Sequence, residues 1–180
     1  MVTIPSTMLK IGTTMPPFEL PDFDGNVHSS GEFQGQPVLV VFLCNHCPYV
    51  RHVVDTFTER VKEYQEHGVA VVGISANDVE NYPQDAPEKM KEFAGEHGFT
   101  FPYLYDQSQE VVKAFRAACT PDFFLFDESH KLYYRGRFDG SRPNNDIPVT
   151  GEELTRAVNG MLAGETIPRE QIPSVGCNIK

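Results

Sequence analysis

Val38-Leu39-Val40-Val41-Phe42-Leu43-Cys44-Asn45-His46-Cys47-Pro48-Tyr49-Val50 holds three signals in thirteen residues. The first six form an unbroken apolar run rich in β-branched side chains, which predicts a strand buried on both faces. From Pro48 the period changes. Val50, Val53, Val54, Phe57, Val61 and Tyr64 recur at helical spacing, and Gly68 closes the segment. Between strand and helix stands Cys44-x-x-Cys47. Two cysteines at a helix start can close a short disulfide, and the unpaired N–H groups of the first turn stabilise a thiolate. That field contributes about 0.3–1 kcal/mol, or ~2 if partly buried, so the dipole alone lowers a thiol pKa by about one unit. A larger drop calls on a charged His46 and on a hydrogen bond from the partner thiol. His46 would then favour the dithiol and make the disulfide more oxidising.

Further along the chain, Val69–Ile74 predicts a second buried strand, Pro87 a helix start with Met90, Phe93 and Ala94 inward, and Phe99–Tyr105 a third strand. Asp106 and Gln109 read as a capping pair for a helix carrying Val111, Val112 and Phe115. Phe123–Phe126 and Leu132–Tyr134 flank the polar turn 127–130, an antiparallel hairpin. Thr150 and Glu153 read as a capping box for a last helix with Leu154, Val158, Met161 and Leu162 inward. Residues 1–35 form a turn-rich lead-in with a hairpin turn at Asp24-Gly25-Asn26. Alternating strands and helices, then a hairpin and a helix, predict one α/β domain over residues 1–180, its sheet covered on both faces.

Composition narrows the function. A net charge of −10 argues against nucleic acid and anionic membrane surfaces. No run of 18 apolar residues predicts a membrane span, and Met1–Lys10 lacks the basic start and apolar core of a signal peptide. The expected compartment is the cytoplasm, where a close cysteine pair is more often catalytic or metal-binding than structural. A zinc site would want a second ligand pair, and the sequence has no second Cys-x-x-Cys or His-x-x-x-His. No metal and no cofactor is expected, because a redox-active cysteine pair carries the electrons itself.

These residues resemble the thioredoxin-like superfamily, and more narrowly its redoxin (AhpC/TSA, peroxiredoxin-like) branch. Gly12-x-x-x-Pro16-x-Phe18-x-Leu20 with Gly25 is similar to the peroxiredoxin lead-in. Cys44-x-x-Cys47 matches the thioredoxin redox pair, and Thr120-Pro121-Asp122-Phe123 resembles the cis-proline loop and following strand. Ser141-Arg142-Pro143 and Gly176-Cys177-Asn178 are similar to a peroxiredoxin-like group within this branch. The resemblance implies a mixed central sheet flanked by helices, with an N-terminal hairpin extension and a helix–strand insertion. It also implies a cis Thr120–Pro121 bond facing the cysteines and positioning substrate.

The departures bear on activity. Cys47-Pro48 stands at the peroxidatic position, but the expected threonine is Cys44 and the expected proline is Val40. The Thr120-Pro121 loop stands where the peroxiredoxin arginine would lie. From the thioredoxin pattern, the tryptophan is replaced by Leu43 and the buried aspartate by Val38, leaving the second thiol's proton acceptor unidentified.

The reading is a thiol–disulfide oxidoreductase working on protein or small-molecule disulfides with a reductase system. Its rivals are a thiol peroxidase using Cys47 and a non-enzymatic redox sensor or metal-binding thiol protein. Thioredoxin analogy makes Cys44 the attacking thiol and Cys47 the resolving one. Pro48, favoured at the first helical position, instead puts Cys47 at the N-cap, and access decides between them. Cys119, beside the predicted cis-proline, and Cys177, near the chain end, are possible accessory thiols. A helix-end filler and a tail anchor are their alternatives.

Overall fold

A computed structural model describes residues 2–168 and 170–180. Its central sheet has five strands: β4 (Val38–Phe42), β5 (Ala70–Ser75), β6 (Tyr103–Tyr105), β8 (Asp122–Phe126) and β9 (Leu132–Tyr134), in the order β6-β5-β4-β8-β9. β4, β5 and β6 run parallel, while β8 is antiparallel to β4 and β9 to β8. This is the mixed sheet of a thioredoxin-like fold, with β4 at its centre.

Every residue of β4 is buried, and alternate side chains serve different cores. Leu39 and Val41 join the cluster under α1 (Pro48–Glu66), α2 (Pro87–Glu96) and α4 (Glu152–Leu162), together with Val54, Phe57, Phe93, Leu154 and Val158. Val38, Val40 and Phe42 join the opposite cluster, with Phe115, Phe124, Phe126 and Phe18 of the lead-in. That face also receives Val112 of the short α3 (Glu110–Ala114). The lead-in forms the expected hairpin from β2 (Glu19–Pro21) and β3 (Val27–Ser29), closed by Asp22–Asn26. A separate three-stranded sheet joins both chain ends. β10 (Val175–Asn178) lies between β1 (Thr3–Pro5) and the two-residue β7 (Cys119–Thr120).

Several local expectations are corrected. The third strand begins at Tyr103, not Phe99, because Pro102 lacks the N–H a ladder needs. Neither capping pair forms as a reciprocal box. α3 starts after Gln109 at φ 62°, whose side chain reaches the Ala76 and Lys180 carbonyls, while Asp106 Oδ2 accepts the Val112 N–H. α4 starts after Gly151, Asp139 Oδ2 accepts the Thr150 and Gly151 N–H groups, and Glu153 pairs with Arg137. At α4 the charged Asp139 and Arg137 outcompeted the local cap, and at α3 two distant backbone carbonyls took Gln109. Leu162 is exposed at the end of α4, not inward.

Candidate active site

Cys47 is the N-cap of α1, with Pro48 at the first helical position, as the proline preference predicts. Cys44 lies just beyond β4, and both sulfur-bearing residues are fully buried. Access therefore does not separate them. Electrostatics does. Cys47 is lowered to about 5, chiefly by the hydrogen bond from Cys44, with further help from Cys177, Thr120 and the approaching Val50 N–H, while burial opposes. Cys44 is pushed far above the thiol range by that same pairing, by burial and by the Asp85 carboxylate. The pairing thus lowers Cys47 and raises Cys44, which favours Cys47 as the thiolate where thioredoxin analogy favours Cys44.

Thr120 and Pro121 face the pair, and their peptide bond is cis. The Thr120 carbonyl oxygen lies 3.3 Å from Cys47 Sγ, where it can accept the thiol proton, and its Oγ1 lies 3.5 Å from Cys44 Sγ. Beside Pro121 a shallow depression is lined by Tyr49, His52, Arg142 and Val175. His52 is half-buried there, with its Nε2 enclosed.

His46 lies beside Cys44, but its Nδ1 is 2.6 Å from Asp85 Oδ2 and its Nε2 is buried. The Asp85 carboxylate also accepts the Asn45 N–H at 2.8 Å and the Asn77 amide at 2.9 Å. Tyr103 Oη in turn donates to Asn45 Oδ1 at 2.9 Å, which fixes the segment between the cysteines. Asp85 comes from the 3-10 turn Pro83–Asp85, a region without motif character, and sequence reading missed it. Tyr82 before it stacks on the imidazole at 5.6 Å, and the Lys180 ammonium lies over the other ring at 5.2 Å.

Cys44, His46 and Asp85 can each offer a ligand atom, all within 4.8 Å of one another. The fit to a metal is poor. Both Asp85 oxygens already carry donors, and zinc needs a fourth ligand. Asp85 instead holds His46 in place.

The accessory thiols separate. Cys119 turns toward the Pro121 and Ser174 carbonyls at 3.8 and 4.0 Å, and burial raises it beyond ordinary reactivity. Cys177 meets the pair, with its Sγ 2.7 Å from Cys47 Sγ. Gly176 makes this possible, since a β-carbon there would run into the Thr120 carbonyl.

The model of the AhpC/TSA family matches residues 11–135. The chain belongs to the AhpC/TSA family. An uncharacterized conserved protein from Geobacillus kaustophilus superposes on it with TM-score 0.97 and 47% identity, covering 100% of this chain and 96% of that one. The thiol-disulfide oxidoreductase ResA of Geobacillus thermodenitrificans is 28% identical over 126 residues, 70% of this chain and 68% of its own. Peroxiredoxin Bcp of Escherichia coli is 31% identical over 135 residues, 73% of this chain and 81% of its own. This AhpC/TSA chain is thus a thiol-based redox protein whose relatives divide between two activities. Among the described residues, no helix is long and apolar enough to cross a membrane.

Proposed function

We propose that this AhpC/TSA chain is a thiol–disulfide oxidoreductase in which Cys47 attacks and Cys44 resolves. One observation carries the reading: Cys47 is the N-cap of α1, its Sγ 3.3 Å from the Thr120 carbonyl oxygen of the cis Thr120–Pro121 bond, and its thiol is lowered. The thiolate attacks a substrate disulfide and forms a mixed disulfide, releasing the first product thiol. Cys44 must then lose its proton. The His46 imidazole, oriented by Asp85 and with a ring nitrogen within 4.8 Å of Cys44 Sγ, is the base nearest to hand for that step. The Cys44 thiolate attacks Cys47 Sγ, expels the second product and leaves a Cys44–Cys47 disulfide. A reductase system resets the pair, and with an oxidised pair the same steps run in reverse. Thr120 and Pro121 hold the substrate segment along the depression. The electrons stay on sulfur throughout, so no cofactor is needed. A reducing compartment such as the cytoplasm suits this direction of transfer.

A peroxidase at Cys47 is the second reading, favoured by the burial of both thiols, which admits a small oxidant more readily than a protein. Against it, the groups that lower Cys47 are thiols, a threonine and a backbone N–H rather than a guanidinium. Disulfide and peroxide reduction should be assayed side by side in wild type, Cys44→Ser and Cys47→Ser. Exchange predicts disulfide turnover abolished by Cys47→Ser, with Cys44→Ser stalling as a mixed disulfide wherever Cys44 alone resolves. Peroxide turnover without disulfide turnover would reverse the assignment.

A further inference from the structure

We propose that Cys177 is a second resolving thiol, which captures a mixed disulfide on Cys47 as a Cys47–Cys177 bond before Cys44 takes the bond over. This rests on the exchange reading above and deepens it. Cys177 lies outside residues 11–135, the span the family model matches.

The geometry is direct. Cys177 Sγ stands 2.7 Å from Cys47 Sγ, across 130 residues of sequence. β10 is held there on both edges, pairing Cys177 with Thr3 on one side and Thr120 on the other. Gly176 allows the close approach over the Thr120 carbonyl. The chain end is fastened as well, with the Lys180 N–H on Asn77 Oδ1 at 2.9 Å and its carbonyl accepting the Asp78 N–H at 2.9 Å. Cys177 is therefore a preset neighbour of the attacking sulfur, and an intramolecular thiol so placed reacts far faster than one from solution.

The surroundings of the two candidate resolvers differ in sign. Cys177 is raised to about 12, by burial first and then by its contact with the Cys47 thiolate, while Lys180 and the Tyr49 N–H lower it. Cys44 faces the Asp85 carboxylate instead. Once Cys47 carries a neutral mixed disulfide, its negative charge no longer opposes ionisation of either thiol. Burial remains for both. The residual charges then favour a thiolate at Cys177 and disfavour one at Cys44.

The steps balance. The Cys47 thiolate attacks R–S–S–R′, forming Cys47–S–S–R and releasing R′S⁻. The sulfur of Cys177 attacks Cys47 Sγ, breaking the bond to R, and its proton leaves with RS⁻ as RSH. The substrate has gained two electrons, and the protein holds a Cys47–Cys177 disulfide. Cys44 then attacks Cys47 Sγ and passes its proton to the departing Cys177 thiolate, an isomerisation with no net electron transfer.

The test uses 5,5′-dithiobis(2-nitrobenzoate) as the disulfide, supplied in equimolar amount. Cys44→Ser should release both nitrothiobenzoate groups and yield a Cys47–Cys177-linked peptide on acid-quenched mapping. In Cys44→Ser/Cys177→Ser the second release should slow by at least ~100-fold, because the intramolecular thiol is gone. Time-resolved mapping of wild type, which does not depend on any variant folding, should show the Cys47–Cys177 peptide before Cys44–Cys47. Cys44→Ser halting at a stable mixed disulfide, or wild type turning over with no Cys47–Cys177 peptide at any time, overturns the relay while leaving exchange intact. No reaction at Cys47 in wild type overturns both.

Discussion

At the scale of single residues, the site is organised by one carboxylate that no motif announced. Asp85 takes donors from Asn45, His46 and Asn77, and so fixes both the residues between the cysteines and the ring beside them. Asp85→Asn would turn one acceptor into a donor facing donors. It should cost about 1–3 kcal/mol in chemical denaturation, the range for an unsatisfied buried polar group. It should also ease ionisation of Cys44, read as faster alkylation there, because the carboxylate raises that thiol. Cys44 and Cys47 were legible because they are neighbours in sequence and their spacing implies a geometry. Asp85 was not, since it reaches the site from 39 residues away through packing alone, and Cys177 was legible as an accessory thiol but not as a neighbour of Cys47, 130 residues away.

At the scale of elements, the strand-to-helix step from β4 to α1 was readable, and the closure of the site by β10 was not. Periodicity predicted the inner face of α1, and Val50, Val53, Val54, Phe57, Val61 and Tyr64 are all buried there. Phe57 is the central contact, its ring 5.6–5.9 Å from those of Phe101, Phe123 and Phe138. Phe57→Ala should cost about 3–5 kcal/mol, measured as a lowered denaturation midpoint. β10 has only four residues, and its pattern is that of a loop. What makes it a lid on Cys47 is the absence of a side chain at Gly176. Gly176→Ala should push β10 off the Thr120 carbonyl, cost about 1–3 kcal/mol and speed alkylation of Cys47. Unchanged stability and unchanged labelling would show that β10 does not cover the site as described.

At the scale of the whole molecule, two buried groups give stability opposite dependences on pH. Burial raises Asp122 from 3.8 to about 7. The folded protein thus holds a proton that the unfolded chain has lost, and this contribution, full below pH 3.8, is lost as pH rises through about 7. Cys47 is lowered from 9.0 to about 5, so its contribution is full above pH 9 and is lost as pH falls through about 5. Denaturation of Cys47→Ser relative to wild type should lose a rising limb between about pH 5 and 9, and Asp122→Asn a falling limb between about pH 4 and 7. Neither effect was visible in composition, because net charge ignores surroundings, while the Asp122 shift arises from burial and the Cys47 shift from hydrogen bonds that outweigh it. The layered α/β architecture, by contrast, followed from hydrophobic period alone, since β4 and α1 each bury what their spacing says they should.

In the proposed reaction Cys47, and not Cys44, carries the reactive thiolate. The most direct measurement is competitive alkylation of the reduced protein with limiting iodoacetamide across pH, with the label located by peptide mapping. Label should fall on Cys47 first, rising with a midpoint near about 5, where its hydrogen bonds lower the thiol. Faster labelling of Cys44, or a Cys47 rate that climbs only near the ordinary thiol range of pH 9.0, would contradict it.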